Sequence, residues 1–116
     1  MTTRSSRVGS ELGRLLNEQL TRGIKDPRLK GVHVTEVDLS GDLSVARVYF
    51  SLLDPDGDAD AAAEGLEAAM GFLRRKIGQE MRLRRVPEFR FTFDDSARRG
   101  MEISDLIARA RSTDAD

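Results

Sequence analysis

The stretch from residue 66 to 96 constrains the fold more than any other part of the chain, because a helical pattern breaks, restarts and then gives way to a strand pattern. Apolar residues recur at intervals of three and four, which predicts one buried stripe on a bent helix or helical hairpin: Leu66, Ala69, Met70, Leu73, Ile77 and Met81. Gly71 lies between the two halves, and glycine costs about 0.8 to 1.0 kcal/mol of helix propensity relative to alanine. We therefore expect the helix to bend or restart at Ala69-Met70-Gly71.

The end of the same stretch has the pattern of a β-strand. Pro87 ends any preceding helix, and the sequence from Glu88 to Phe93 then alternates polar and aromatic residues with a period of two. Phe89, Phe91 and Phe93 fall on one face of such a strand. We expect these three rings to anchor the core and not to form a base-stacking platform.

Two strands and a helix are predicted before this stretch. Apolar spacing predicts an amphipathic helix from about residue 6 to 22, with Gly23 as its C-terminal cap. In the next stretch the valines and a leucine fall on one face of a strand before Thr35 or Glu36 and on the other face after it, which indicates a bulge. Turn residues 40–43 connect this strand to a second strand as a hairpin. In the second strand the inward residues are Ala46, Val48, Phe50 and Leu52, and the outward residues are Arg47, Tyr49 and Ser51.

The complete element order is helix, strand, strand, helix, bend, helix, strand and a short C-terminal helix through Ile107, which is typical of an α+β domain. A chain of 116 residues forms one small domain, and we place it at 1–110, followed by a disordered tail at 111–116. The absence of cysteine excludes disulfides, thiolate metal sites and a cysteine nucleophile. No apolar signal region or membrane-spanning run of about 20 residues is present, so we expect a cytoplasmic protein.

The charges are distributed unevenly along the chain. The formal net charge is only −1, but residues 71–90 contain seven cations and two acidic residues, whereas residues 31–65 contain one cation and eight acidic residues. Residues 1–30 are again basic, with seven cations and three acidic residues. Two basic segments can therefore form one polyanion-binding face that the net charge conceals.

The residues offer little for catalysis or metal binding. His33 is the only histidine, and its position in or beside a strand favours a structural role. Asp94, Asp95 and Ser96 are better suited to capping a helix than to acid-base chemistry. The acidic turn at 54–60 fails the calcium-loop spacing, because its glycine precedes the third aspartate of that pattern, and no phosphate-loop or dinucleotide motif is present. We predict no cofactor, no metal and no enzymatic activity.

Polyanion binding has more support. A helix that begins after Gly71 directs unpaired backbone N–H groups outward, and Arg74, Arg75 and Lys76 add positive charge in its first turns. The alternative is that these cations only solvate the outer face of the helix. A second group of cations has no aspartate nearby and favours polyanion binding over simple solvation: Arg82, Arg84 and Arg85. Because few aromatic residues face outward, we expect recognition of nucleic-acid backbone and shape over sequence readout.

Several stretches in order resemble the ribosome-binding factor A family, the bacterial small-subunit assembly factors. The chain is similar to that family over nearly its whole length, at Arg7-Val8, residues 24–29, residues 37–49, residues 71–74, residues 83–91 and Asp94-Asp95-Ser96. The resemblance implies a type II KH-like fold, with a three-stranded sheet backed by helices. It also implies that Ala69-Met70-Gly71 is the Ala-x-Gly kink that replaces the GxxG loop of other KH domains.

The same resemblance implies a function and a set of binding residues. It implies a non-catalytic ribosome biogenesis factor that binds the free or immature 30S subunit through 16S rRNA and supports late maturation, including 5′-end rRNA processing and adaptation to cold. Ribosome-maturation GTPases are further candidate partners, and we expect a monomer that does not bind membranes. The implied RNA-binding residues are Ala69, Gly71, Arg74, Arg75, Lys76, Arg82, Arg84, Arg85, Lys25 and Arg28.

Two other functions remain open from the residues alone. One is a general KH-like module for single-stranded RNA, which would bind short oligonucleotides about as well as ribosomal subunits. The other is a protein-interaction domain whose basic face meets an acidic partner. Binding that survives nuclease treatment would separate the protein partner from the two RNA-binding functions.

Overall fold

A three-stranded mixed sheet carries the fold, and the predicted order of elements is confirmed. The computed structural model describes residues 4–22 and 24–114. The elements are α1 (Arg4–Arg22), a 3-10 turn (Pro27–Leu29), β1 (Val32–Leu39), β2 (Val45–Leu52), α2 (Ala59–Ala68), α3 (Met70–Met81), β3 (Glu88–Phe93) and α4 (Ser96–Asp114). The strand order is β1-β2-β3; β1 pairs antiparallel with β2, whereas β3 pairs parallel with it.

The core lies between one face of the sheet and the first three helices. Its largest fully buried side chains come from both layers: Leu12 and Leu16 of α1, Val48 and Phe50 of β2, Leu66 of α2, Leu73 and Ile77 of α3, and Phe89 of β3. Phe91 and Phe93 pack against this core but are only partly buried, so β3 is less deeply buried than its alternation predicts. On the outer face Arg47 is exposed as expected, whereas Ser51 is only 8% exposed opposite its cross-strand neighbour His33.

The predicted bulge in β1 is confirmed, and a side chain of α1 is bound to it. The pairing register shifts between Val34 and Glu36. Asn17 donates its Nδ2 hydrogen to the Val34 carbonyl at 3.0 Å and accepts the Val34 N–H at 2.7 Å. Because β1 lies at the edge of the sheet, the Asn17 amide occupies the hydrogen-bonding groups that a further strand would use. Asn17 therefore closes this edge at Val34.

Replacing Asn17 by alanine is expected to lower the free energy of unfolding by about 1 to 3 kcal/mol, because two partly buried main-chain groups of Val34 lose their partner. Chemical denaturation measures the loss. The matched control is Gln19→Ala on the same helix, which should change stability by less than about 0.5 kcal/mol. Equal losses in the two variants would contradict the role of Asn17 at the sheet edge.

The C-terminal helix is longer than the short helix that we expected. α4 spans 19 residues and includes positions 111–114, which the sequence pattern assigned to a disordered tail. Ile103, Leu106 and Ile107 on this helix are between 49% and 62% exposed. The predicted cap Gly23 and the last two residues, 115 and 116, lie outside the described residues. None of the helices described has the length and apolar character needed to cross a membrane.

Candidate nucleic-acid interface

The predicted break between two helices is confirmed at Ala69. Its φ and ψ of −87° and −2° end α2, and α3 begins at the next residue. The Ala69 N–H donates to the carbonyls of Gly65 and Leu66 at 3.0 and 3.1 Å, while its methyl side chain cannot cap the first turn of α3. Gly71 is exposed in that turn, and a Cβ at this position would meet no heavy atom within 4 Å. The kink therefore presents helix backbone with no bulky side chain over it.

The cations of α3 lie on the side of the helix that faces solvent. Leu73 and Ile77 are fully buried and fix the orientation of the helix. Arg74 and Arg75 are exposed, and Lys76 is half-buried. An α-helix rises 1.5 Å per residue, so α3 is about 18 Å long and its cations occupy the half next to the kink.

The loop after α3 turns back along the helix. Arg82 adopts the left-handed conformation, with φ and ψ of 51° and 41°, and this conformation ends the helix. Val86 then packs so close to α3 that a Cβ on Gly78 would lie 2.8 Å from its Cγ2. One turn nearer the kink, Arg74 donates from Nη2 to the Val86 carbonyl at 3.0 Å. These contacts place the loop beside α3, and Pro87 is buried behind it.

The cations of the loop therefore join those of the helix. We call them together the basic surface: Arg74, Arg75, Lys76, Arg82, Arg84 and Arg85. Elsewhere Arg14, Arg28, Arg90 and Arg99 form ion pairs with carboxylates, whereas no cation of the basic surface does so within the described part of the chain. Positive charge that no carboxylate neutralises attracts an anionic ligand more strongly than charge already paired.

Lys25 and Arg28 lie on a neighbouring connection. The 3-10 turn packs on α2, since a Cβ on Gly65 would lie 3.2 Å from the Arg28 Cβ, one turn before the kink. The guanidinium of Arg28 donates to both carboxylate oxygens of Asp26 at 2.7 to 3.1 Å, and this hydrogen bonding lowers the pKa of Asp26. Arg28 is therefore largely engaged within the protein. Lys25 is exposed.

Two arginines have roles that the sequence patterns did not indicate. Arg74 holds the loop through Val86 as well as carrying charge, and no local sequence signal indicates a partner twelve residues away. Arg90 belongs to the same basic stretch of sequence but lies on the outer face of the sheet, opposite Arg47 and in an ion pair with Glu88. The period-two alternation of β3 separates Arg90 from the basic surface, because its phenylalanines face the helices.

Alanine at the two glycines of α3 should have opposite effects on stability. Gly71→Ala is expected to raise the free energy of unfolding by up to about 1 kcal/mol, because alanine favours helix and its methyl group meets open space. Gly78→Ala is expected to lower it by about 1 kcal/mol, because the stiff Val86 side chain obstructs the added methyl group. Urea denaturation of the two variants measures both changes. A stabilised Gly78→Ala protein would contradict the packing of the loop on α3.

Comparison with known proteins agrees with this geometry. A family model described as ribosome-binding factor A matches residues 4–107. The crystal structure of ribosome-binding factor A from Thermus thermophilus is 29% identical, with 77% of this chain and 93% of that chain covered and a TM-score of 0.70.

Two further solved structures are similar over most of their length. A solution NMR structure from Thermotoga maritima, proposed as a ribosome binding factor A, is 34% identical over 79% of this chain and 88% of that chain, with a TM-score of 0.69. A Thermus thermophilus ribosome binding factor A model fitted into a cryo-EM map of a 30S complex is 31% identical. The match covers 72% of this chain and 87% of that chain, with a TM-score of 0.61. Because the family model spans nearly all of the chain and the folds agree, this protein belongs to the ribosome-binding factor A family.

Proposed function

We propose that this protein is a non-catalytic assembly factor that binds the free or immature 30S subunit through 16S rRNA in the cytoplasm. The observation that carries the proposal is the basic surface, whose cations flank a kink without bulky side chains. A related structure was fitted into a map of a 30S complex, which supports the 30S subunit as the partner. Binding would stabilise a late intermediate of maturation.

The chemistry of the surface favours contact with the RNA backbone. Five of its six cations are arginines, whose planar guanidinium groups form paired hydrogen bonds with phosphate oxygens. At Gly71 a sugar-phosphate chain can approach the first turn of α3, where the positive end of the helix dipole adds to the attraction. Lys25 extends the positive charge beyond the kink, whereas Arg28 contributes less because Asp26 holds it.

Sedimentation tests the partner. Purified protein mixed with separated 30S, 50S and 70S particles is expected to migrate with 30S particles and not with 70S ribosomes at moderate salt. An excess of a short single-stranded RNA should leave this migration unchanged. Displacement by that RNA would favour the general RNA-binding module, and protein that stays at the top of the gradient would refute ribosomal binding.

The role in 5′-end processing needs a separate test in cells. Depletion of the protein is expected to increase the fraction of 16S rRNA with an unprocessed 5′ end, most strongly at low temperature, as measured by primer extension. Wild-type protein should restore the mature end. Normal 5′ ends throughout depletion would remove the processing role while leaving 30S binding intact.

A further inference from the structure

The edge of the sheet formed by β3 has hydrogen-bonding groups directed away from the sheet. The N–H groups of Glu88 and Asp94 donate to the carbonyls of Ser44 and Phe50, beside and within β2, at 2.9 and 2.7 Å. Successive residues of a strand direct their main-chain groups to opposite sides, so those of Phe89 and Phe91 point away from β2. Among the described residues no further strand pairs there. This edge differs from that of β1, which is closed at Val34.

A groove of about 680 Å³ follows this edge between β3 and α2. Ala59 and Ala63 of α2 leave space above Phe91 and Phe93, which are only partly buried. Thr92 also lines the groove, although its side chain belongs to the opposite face of the strand from the phenylalanines. The groove therefore offers apolar surface beside the main chain of β3.

The rim of the groove is acidic. Asp58 and Asp60 line it where α2 begins. They belong to a longer acidic segment, because residues 48–73 contain six acidic residues and no cation. Negative charge at this density repels phosphate and attracts lysine or arginine. The basic surface and this groove therefore suit ligands of opposite charge.

We propose that the groove binds an extended peptide segment of another protein, with apolar residues and a lysine or arginine on the same face of the segment, as an additional strand on β3. Main-chain hydrogen bonds to Phe91 would hold the segment in register. Its apolar side chains would enter the space beside Ala63, and a cation on the same face of the segment would approach Asp60, because residues two apart share one face of a strand. This activity goes beyond RNA binding and does not depend on it.

The first test uses the full-length protein and a labelled peptide in which valine and lysine occupy one face of the extended chain and serine occupies the other. Fluorescence anisotropy is expected to show binding, and NMR-detected hydrogen exchange is expected to show slower exchange of the Phe91 amide when the peptide is present. A peptide of the same sequence with an N-methyl group on every backbone nitrogen keeps its side-chain charges but has no N–H group left to pair as a strand. Equal affinity of the two peptides, or unchanged exchange at Phe91, would overturn the proposal.

Charge reversal provides the second test. Asp60→Lys is expected to weaken peptide binding by roughly three- to tenfold. Glu67→Lys is the matched control, since Glu67 is exposed on the same helix but does not line the groove. Equal weakening in the two variants would show nonspecific attraction and overturn the proposal. A short single-stranded RNA that protected the Phe91 amide in place of the peptide would also overturn it.

Discussion

Simultaneous replacement of Arg82, Arg84 and Arg85 by glutamate is expected to weaken association with 30S subunits by at least about 100-fold, with little change in melting temperature. Three exposed cations of the basic surface become anions, so attraction to phosphate is replaced by repulsion at each position. Stability should change little, because exposed charges contribute only about 0.2 to 1 kcal/mol each. Sedimentation over a range of salt concentrations measures the loss, and the residual binding should depend less steeply on salt.

The matched control changes the net charge of the protein by the same amount elsewhere. Arg7, Arg22 and Arg47 are exposed and lie outside the basic surface, so their replacement by glutamate should weaken association far less. The double variant Arg84→Glu/Arg85→Glu avoids the left-handed position of Arg82 and should retain most of the effect. If both triple variants lose binding equally, the overall charge and not this surface governs association.

The largest effect on stability is expected from Leu73→Ala, which should lower the free energy of unfolding by about 2 to 5 kcal/mol. Leu73 is fully buried and fixes the kink end of α3 against the core, so its truncation leaves a cavity behind Arg74 and Arg75. Small domains have only about 5 to 15 kcal/mol of stability in total, so much of it would be lost. Urea denaturation followed by circular dichroism measures the change.

The control for this variant is Arg75→Ala, which lies two residues further along the helix. Because Arg75 is exposed, its truncation should change stability by less than about 0.5 kcal/mol while reducing 30S association. Comparison of Leu73→Ala with Arg75→Ala separates two effects. The first variant removes packing that holds α3 in place, and the second removes one cation that we expect to contact the 30S subunit. A loss below about 1 kcal/mol for Leu73→Ala would contradict the burial of α3 against the core.

Much of the fold could be predicted from local patterns. The repeat of apolar residues identified the helices, and the low helix propensity of Gly71 pointed to the restart of the helix beside Ala69. The change of phase near Thr35 located the bulge, because each slip by one residue moves side chains to the other face. The acidic turn has a structural role, since Asp58 caps α2 by accepting the Ala61 N–H.

Other features depend on contacts that local patterns do not contain. Side-chain alternation is the same in parallel and antiparallel strands, so the parallel pairing of β3 could not be read from its phenylalanines. From the sequence alone, Arg74 and Arg28 are two cations without known partners. In the structure Arg74 donates to the Val86 carbonyl, and Arg28 donates to the carboxylate of Asp26. The ten proposed RNA-binding residues thus fall into the kink, the basic surface and a neighbouring turn, and their contact with RNA stays a prediction.

The unequal edges of the sheet limit how this protein can polymerise. A filament of stacked sheets needs two compatible edges on every molecule, so that each copy can join one neighbour on either side. Asn17 occupies the Val34 groups of the β1 edge, so strand pairing meets an obstruction there that it does not meet at Phe89 and Phe91 of β3. Two copies would then pair more readily through β3, as a closed two-fold pair whose acidic rims repel each other. The contact of Asn17 with Val34 therefore disfavours open-ended stacking of copies through both edges of the sheet.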